Sequence, residues 1–261
     1  HPSAPAPISA MLSGVLIKTL GIYALVRVTF SVFGVHPVAL SILQWLGAIS
    51  VVIGVLPAVG QVDIKRMLAY CSISQIGYIT IGISLGTPLG ILGALFHLMN
   101  HAFYKSLLFL NSGSLEYELR TRNMRKMGGI TKEMPVTGTI TAIGALAISG
   151  IPPLNGFWSK FLIILATIQS RNYILTGFAG FETVVTIIMF AKLFREVILG
   201  EKRVKQTLKE VPLPMTISVS ILAFLCVAVG LAFPYVINIL IDPAKSAIID
   251  RALFIRNILG G

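Results

Sequence analysis

The chain has 261 residues, of which 55% are hydrophobic and only 12% are charged. Soluble domains carry charge on roughly a quarter of their residues, so this composition excludes an ordinary soluble protein and predicts a polytopic membrane protein. The net charge of +11 does not indicate a nucleic-acid partner. The basic residues lie mostly in loops between apolar runs, where membrane topology and anionic lipid headgroups account for them.

The cysteines and glycines carry no cofactor pattern. Cys71 and Cys226 are the two cysteines and form no CxxC motif, and no glycine-rich nucleotide-binding motif occurs. Iron–sulfur and zinc sites therefore lack a ligand set. We expect no cofactor and no metal in this chain, so its chemistry must use protonatable side chains and water.

Apolar runs along the chain predict an all-α fold of about eight transmembrane helices, because each longer run has about the 20 residues that a hydrocarbon core requires. The predicted spans are residues 8–32, 38–59, 67–85, 89–111, 135–149, 155–168, 173–198 and 213–236. They form one transmembrane domain over residues 1–241. The tail, residues 242–261, is predicted to form an amphipathic helix on the membrane surface or on a neighbouring protein.

The fifth and sixth spans are short, and the sequence GIPPLNG, residues 150–156, separates them. Two prolines and two glycines do not continue a helix. Broken backbone at membrane depth persists only where protein or water satisfies its polar groups. The sequence therefore predicts at least one broken helix, a device that builds ion sites in transporters.

Lys18 lies near the centre of the first predicted span. A charged side chain at mid-membrane costs at least about 2.5–3.5 kcal/mol, and this lysine is too far from either end of the span to reach the headgroups easily. We interpret it as a functional lysine in contact with water. The alternative is a structural ion pair.

His97, His101 and Lys105 follow one another at four-residue intervals in the apolar run GILGALFHLMNHAFYKSLLFLN. This spacing places successive side chains on one helix face, about 6 Å apart along the axis. Histidine titrates near neutral pH, and burial disfavours the charged form of lysine. A row of these groups bridged by water can pass a proton stepwise, and Asn100 is close enough in the sequence to orient that water. We favour this relay over two histidines that merely fill the core.

Lys160 follows the break by four residues, where unwound carbonyls and water can surround it. The alternative is an interfacial anchor beside Trp158, because tryptophan and lysine both favour the interface. Glu182 is the only acidic residue well inside a predicted helix. Its expected role is that of a charge partner for a buried lysine from another helix.

These residues leave three function classes open. The first is a membrane subunit that translocates ions by lysine and histidine titration, and the second is a scaffold that anchors a partner enzyme. The third is a redox enzyme with a buried haem, which ranks last because residues i and i+4 of one helix cannot be opposed axial ligands. A scaffold has no need of a buried row of lysine and histidine, so that row favours ion translocation.

Four motifs in order resemble the antiporter-like subunits shared by respiratory complex I, Mrp-type Na+/H+ antiporters and membrane-bound hydrogenases. They are HPSAPAPISAMLSGVLIKTLGIYAL, VDIKRMLAYCSISQIGY, FHLMNHAFYKSLLFLNSGS and GALAISGIPPLNGFWSKF. The resemblance covers residues 1 to about 200 and is specific for the superfamily without choosing among its members. It implies that the chain is the second part, helices seven to fourteen, of a fourteen-helix subunit.

The resemblance also implies roles for single residues. The broken-helix lysine of the first half-channel would be Lys18, and the second half-channel would contain His97, His101, Lys105 and Lys160. The glutamate that normally pairs with the first lysine lies in an earlier helix. The next span also lacks a strongly basic residue. The second half-channel is therefore the more complete one.

The sequence thus predicts a subunit of a redox-driven complex that moves protons, or Na+, across a prokaryotic plasma membrane or an energy-converting organelle membrane. Lys18 would be a charge switch, His97 and His101 a water-linked relay, Lys105 the central carrier and Lys160 the exit gate, coupled through their charges. The expected partners are other membrane subunits, a hydrophilic redox arm and lipid. The chain itself would hold no redox active site. The alternatives are a Mrp-type antiporter subunit or a non-conducting scaffold.

Overall fold

The computed structural model describes residues 3–32, 34–201, 203 and 207–250, and the regular elements in these ranges are helices. The long helices are α1 (Ala6–Val32), α2 (Pro37–Gly60), α3 (Ile64–Ser84), α4 (Pro88–Leu119), α5 (Pro135–Ser149), α6 (Asn155–Gln169), α7 (Tyr173–Ile198) and α8 (Leu213–Leu231). Short turns at Met124–Lys126, Ile130–Glu133, Phe233–Val236 and Ile237–Ile241 connect them to one another and to α9 (Asp242–Ile249).

The all-α membrane fold that the sequence predicts is confirmed. Within the described ranges, five helices are long and apolar enough to cross a membrane, namely α1, α2, α3, α7 and α8. Helix α4 has 32 residues, but its histidine, asparagine and lysine side chains lower its hydropathy. Helices α5 and α6 have 15 residues each and flank the break. These three helices lie where the other three spans are predicted.

Polar side chains set where several helices begin. Asp63 accepts a hydrogen bond from the Arg66 N–H at the start of α3, and Thr87 accepts one from the Gly90 N–H at the start of α4. Each cap satisfies a backbone donor that the first turn leaves without a partner. Helix α3 therefore begins three residues before the predicted span.

Helices α3 and α4 form the centre of the protein. In the most apolar window of α3, 78% of the residues are buried, against 22% in α8 and 28% in α1. The outer helices expose their large apolar side chains, which suits a lipid surrounding. Glycines bring α2 against α3, because a Cβ at Gly54 would lie 2.3 Å from the Ser74 nitrogen and one at Gly77 would lie 2.7 Å from the Gly47 oxygen.

The predicted break is present between α5 and α6. Gly150 ends α5 with a positive φ of 75°, its N–H bonds the Ala147 oxygen, and Pro152 and Pro153 follow. Helix α6 then starts at Asn155. A Cβ at Gly156 would lie 1.8 Å from the Ala147 oxygen, so the two half-helices pack backbone against backbone.

The tail is described only in part. Helix α9 spans Asp242–Ile249, in the first part of the tail. Residues 251–261, which hold most of the predicted amphipathic segment, lie outside the described residues.

Because Gly54 of α2 lies against the backbone of α3, we expect a larger residue at this position to destabilise the protein. Gly54→Ala would drive a methyl group into the backbone of α3, and overpacking of this kind costs about 1–3 kcal/mol. We expect a lower midpoint of thermal unfolding for the detergent-solubilised protein. Size-exclusion chromatography of a fluorescently tagged chain after stepwise heating measures that midpoint.

Gly177→Ala is the matched control, because Gly177 lies inside α7 and a Cβ there would meet nothing within 4 Å. Alanine favours a helix over glycine by about 1 kcal/mol, so this variant should be at least as stable as the natural chain. Equal stability of the two variants would contradict the close packing of α2 on α3.

Candidate functional site

Buried polar side chains gather where α3, α4, α6 and α7 meet. His97, His101 and Lys105 of α4 have no exposed surface, and neither does Glu182 of α7. Lys160 of α6 is 2% exposed. The surrounding helices expose apolar side chains on the outside of the protein. The buried polar groups must therefore form hydrogen bonds with one another or with bound water.

Lys160 and Glu182 form a buried ion pair, with the Lys160 Nζ 3.0 Å from the Glu182 Oε2. The other carboxylate oxygen accepts hydrogen bonds from three neutral groups. They are the amide of Gln75 and the hydroxyls of Ser74 at 3.3 Å and Thr186 at 2.7 Å. A buried carboxylate is tolerated only when its lone pairs are satisfied in this way.

Gln75 of α3 links this pair to the histidines. Its amide nitrogen donates to Glu182, so its oxygen Oε1 faces the other way, 2.8 Å from the His97 Nε2. An amide oxygen only accepts, which requires Nε2 of His97 to carry a proton. Tyr104 donates to the same oxygen at 3.2 Å. The second ring nitrogen of His97 lies 2.8 Å from the Ser159 hydroxyl at the start of α6.

Lys105 lies one helical turn beyond His101 and donates to the Leu68 carbonyl oxygen of α3 at 2.9 Å. Among the described residues, no carboxylate lies within 4.0 Å of its amine. The charge on Lys105 therefore lacks the carboxylate partner that Lys160 has. Its electrostatic neighbours include both Lys160 and Glu182.

His101 does not join the predicted row by a direct hydrogen bond. Neither of its ring nitrogens has a partner within the described part of the chain, and its ring packs edge-on against Tyr104 at 5.7 Å. The four-residue spacing puts His97, His101 and Lys105 on one face of α4 as predicted, but a relay through His101 requires water.

Lys18 of α1 lies apart from the Lys160 pair. It is partly buried, and its amine donates to the Ser13 hydroxyl at 2.9 Å. As with Lys105, no carboxylate among the described residues is within salt-bridge distance of Lys18. Its electrostatic neighbours in the centre of the protein include Lys105 and His101.

The neutral members of the site give no signal in the sequence. Gln75, Tyr104 and Ser159 hold His97 and Glu182 in place, and nothing in the hydrophobic pattern distinguishes them from other polar residues.

The side chain of Asn100 fixes the broken helix. The sequence indicates that this amide could orient water beside the histidines. In the structure it bonds Asn155, the first residue of α6, by two hydrogen bonds of 3.0 and 3.1 Å. Asn100 therefore holds the start of α6 against α4.

Residues 1–186 match the protein family described as NADH:quinone oxidoreductase/Mrp antiporter, TM. The match covers well over half of the chain, so the chain belongs to this family. The superfamily that the four sequence motifs indicated is thereby confirmed.

Individual relatives agree with the family match. The chain is 38% identical over 258 residues to hydrogenase-4 component B of Escherichia coli (strain K12), a match that covers 89% of this chain. It is 37% identical over 200 residues to a Na(+)/H(+) antiporter subunit of Alkalihalophilus pseudofirmus, a match that covers 76% of this chain. A chain of the archaeal membrane-bound sulfane sulfur reductase has the same fold, with a TM-score of 0.89 and 30% identity over 98% of this chain.

The chain spans only part of each relative. The matches cover 38% of hydrogenase-4 component B, 40% of the Alkalihalophilus antiporter protein and 52% of the sulfane sulfur reductase chain. The activities of those whole proteins therefore do not transfer to this chain by similarity alone.

The Lys160–Glu182 pair predicts how its two members depend on each other. Removing one partner of a buried pair costs about 3–5 kcal/mol, whereas replacing both can be neutral. Glu182→Gln should therefore lower the thermal midpoint sharply. Lys160→Met combined with Glu182→Gln should recover most of the loss. The heated size-exclusion assay on a tagged chain measures all variants.

Asp242→Asn provides the control, because Asp242 pairs with Lys245 at the start of α9 and its side chain is 47% exposed. Exposed pairs contribute about 0–1 kcal/mol, so this variant should change little. An effect of Glu182→Gln no larger than that of Asp242→Asn would show that the buried pair does not support the fold.

Proposed function

We propose that this chain is an ion-translocating membrane subunit of a redox-driven pump, and that it moves protons between Lys105 and the Lys160–Glu182 pair. The observation that carries this proposal is the hydrogen-bonded connection from His97 through Gln75 to Glu182, all of it buried among apolar helices. Ionisable groups are expensive at membrane depth and mark conduction paths in membrane proteins.

The proposed mechanism is coupled titration of two lysines. A proton that reaches Lys105 adds positive charge close enough to act on both Lys160 and Glu182. That charge competes with Lys160 for the carboxylate and favours release of the Lys160 proton. Gln75 bonds both His97 and Glu182 and holds them in position, and water would carry the proton from Lys105 to the pair. Release on one side and uptake on the other give net transport.

The relatives support the kind of assembly. The hydrogenase-4 component and the Na(+)/H(+) antiporter protein are both parts of larger assemblies by name. We infer that this chain works among other membrane subunits, in a prokaryotic plasma membrane or an energy-converting organelle membrane. A hydrophilic redox arm would drive it, and the chain itself would carry no redox cofactor. The outward apolar faces of α1, α2 and α8 suit contact with lipid and with membrane subunits.

The ligand set favours H+ over Na+ as the transported ion. The buried groups on the proposed path are lysine and histidine, which exchange protons, whereas hard cations prefer oxygen ligands. The single buried carboxylate of the path, Glu182, is already occupied by Lys160. Pumping in sodium-free medium is therefore expected.

Substitutions of Lys105 test the proposal. Lys105→Ala should abolish proton pumping by the assembled complex in proteoliposomes, because it removes the central carrier. Lys105→Arg should also fail, since arginine stays charged and cannot release its proton. Acidification of the vesicles, followed with a pH-sensitive dye during electron transfer, measures pumping.

Lys132→Ala is the control, since Lys132 lies outside the long helices, in the short turn Ile130–Glu133. It should assemble and pump normally. Normal pumping by an assembled Lys105→Ala complex would sink the proposal and favour a scaffold. Normal pumping by Lys105→Arg alone would mean that a fixed positive charge suffices and that Lys105 does not carry the proton.

Gln75→Leu tests the link between His97 and the ion pair. The substitution keeps the approximate shape but removes the amide that joins His97 to Glu182, so pumping should fall by at least about tenfold. Gln44→Leu is the matched control, because the Gln44 amide in α2 bonds only the Ser84 carbonyl among the described contacts. Equal pumping by the two variants would place Gln75 outside the path.

A further inference from the structure

We propose that Ser13 and Ser72 form a hydroxyl bridge through which a proton passes between Lys18 and Lys105. The proposal rests on the proposed function, because it adds a connection between two lysines of the same pump. It assigns a conducting role to two neutral residues of the chain and routes the proton past His101.

Hydrogen bonds lead from each of the two lysines to the same acceptor, the Leu68 carbonyl oxygen. The Lys18 amine donates to the Ser13 hydroxyl at 2.9 Å, and the Ser13 and Ser72 hydroxyl oxygens are 2.9 Å apart. Ser72 in turn donates to the Leu68 carbonyl oxygen at 2.9 Å. The Lys105 amine donates to the same oxygen, also at 2.9 Å. The two lysines are thus separated by two hydroxyls and one shared acceptor.

A turn of π-helix places Ser13 in this series. Ser13 lies in the π segment Met11–Leu16 of α1, in which backbone hydrogen bonds run from residue i to i+5. Five residues along a regular α-helix bring side chains to different faces, but the wider turn brings Ser13 and Lys18 together. Both serines have no exposed surface, so the bridge is shielded from competing solvent.

The hydrogen bonds of the bridge are all donated in the same direction, from Lys18 towards Leu68. Ser72 commits its single proton to Leu68, so its oxygen must accept from Ser13, and Ser13 must accept from Lys18. In this arrangement the charged Lys18 is the source of the proton. The Leu68 carbonyl oxygen accepts hydrogen bonds but has no proton to donate, so no proton is transferred while Ser72 is bonded to it.

Transfer follows when Lys105 is neutral. The Lys105 amine then has a lone pair. The Ser72 hydroxyl, which donates to the same Leu68 oxygen as Lys105, can rotate away from that oxygen and donate to the Lys105 nitrogen instead. An N–H bond of Lys18 breaks as an O–H bond forms on Ser13, each serine passes its own proton onward, and an N–H bond forms on Lys105. Lys18 ends as a neutral amine and Lys105 as an ammonium, and both serines remain neutral. Rotation of the two hydroxyls restores the starting arrangement.

The alternative route through His101 has no comparable connection. Neither His101 nitrogen has a hydrogen-bond partner within the described residues, although Lys18 and Lys105 both act on the ring electrostatically. Among the described contacts the hydroxyl bridge lacks a hydrogen bond between Ser72 and Lys105, which rotation of the Ser72 hydroxyl would have to supply, whereas a histidine route would need water on each side.

Pumping by the whole complex in proteoliposomes tests the bridge with Ser13→Ala, Ser72→Ala and the double variant. Each single variant should slow pumping by at least about tenfold, and the double variant should be no slower than either single one, because the two hydroxyls act in series. Ser72→Thr retains a hydroxyl and should restore much of the rate. Ser84→Ala is the control, since Ser84 is an equally buried serine of α3 whose hydroxyl bonds only the Ile81 carbonyl among the described contacts.

Two results would overturn the bridge: alanine variants that pump like Ser84→Ala, or losses that add in the double variant. If Lys105→Ala still abolishes pumping in those cases, the proposed function stands without the bridge. If Lys105→Ala pumps normally, the proposed function and the bridge both fail. Should Ser72→Ala not assemble, Ser13→Ala tests the same series, and normal pumping by that variant would refute the bridge.

Discussion

The cost of placing charge in a hydrocarbon interior governs the centre of this protein. Glu182 is wholly buried in α7, and it is held by an ammonium and three neutral donors. The break between α5 and α6 makes this possible. Gly150 ends α5 in a left-handed conformation, and a Cβ there would lie 3.1 Å from the Lys160 side chain. The glycine both turns the chain and leaves space for the lysine.

The remaining helices protect this arrangement. Broken backbone needs cover at membrane depth, and α8 supplies it, because a Cβ at Gly230 would lie 2.4 Å from the Pro153 oxygen. Asn155 and Asn100 fix the first turn of α6 to α4. The site therefore depends on close backbone contacts as much as on its charged groups.

The charged and titratable residues of the site, whose burial is unfavourable, could be predicted from the sequence, whereas its neutral polar residues could not. Lysine, histidine and glutamate stand out in apolar runs because their burial costs several kcal/mol. Glutamine and serine are common in such helices, so Gln75 and Ser72 give no comparable signal. The π turn in α1 also gives no signal in the sequence, because it depends on packing and not on a residue pattern. The four-residue spacing places His101 on the same face of α4 as His97, but it does not predict that its ring has no direct partner among the described residues.

The three lysines differ in what holds their charge, and in the proposed pump this difference gives the path a direction. Lys160 has a carboxylate, Lys105 has a shared carbonyl, and Lys18 has a hydroxyl at the partly buried edge of the site. A positive charge is stabilised most by the carboxylate and least by the neutral acceptors. In the proposed pump, the ion pair at Lys160 must be broken before a proton leaves, which makes it the step that the coupled redox reaction has to control.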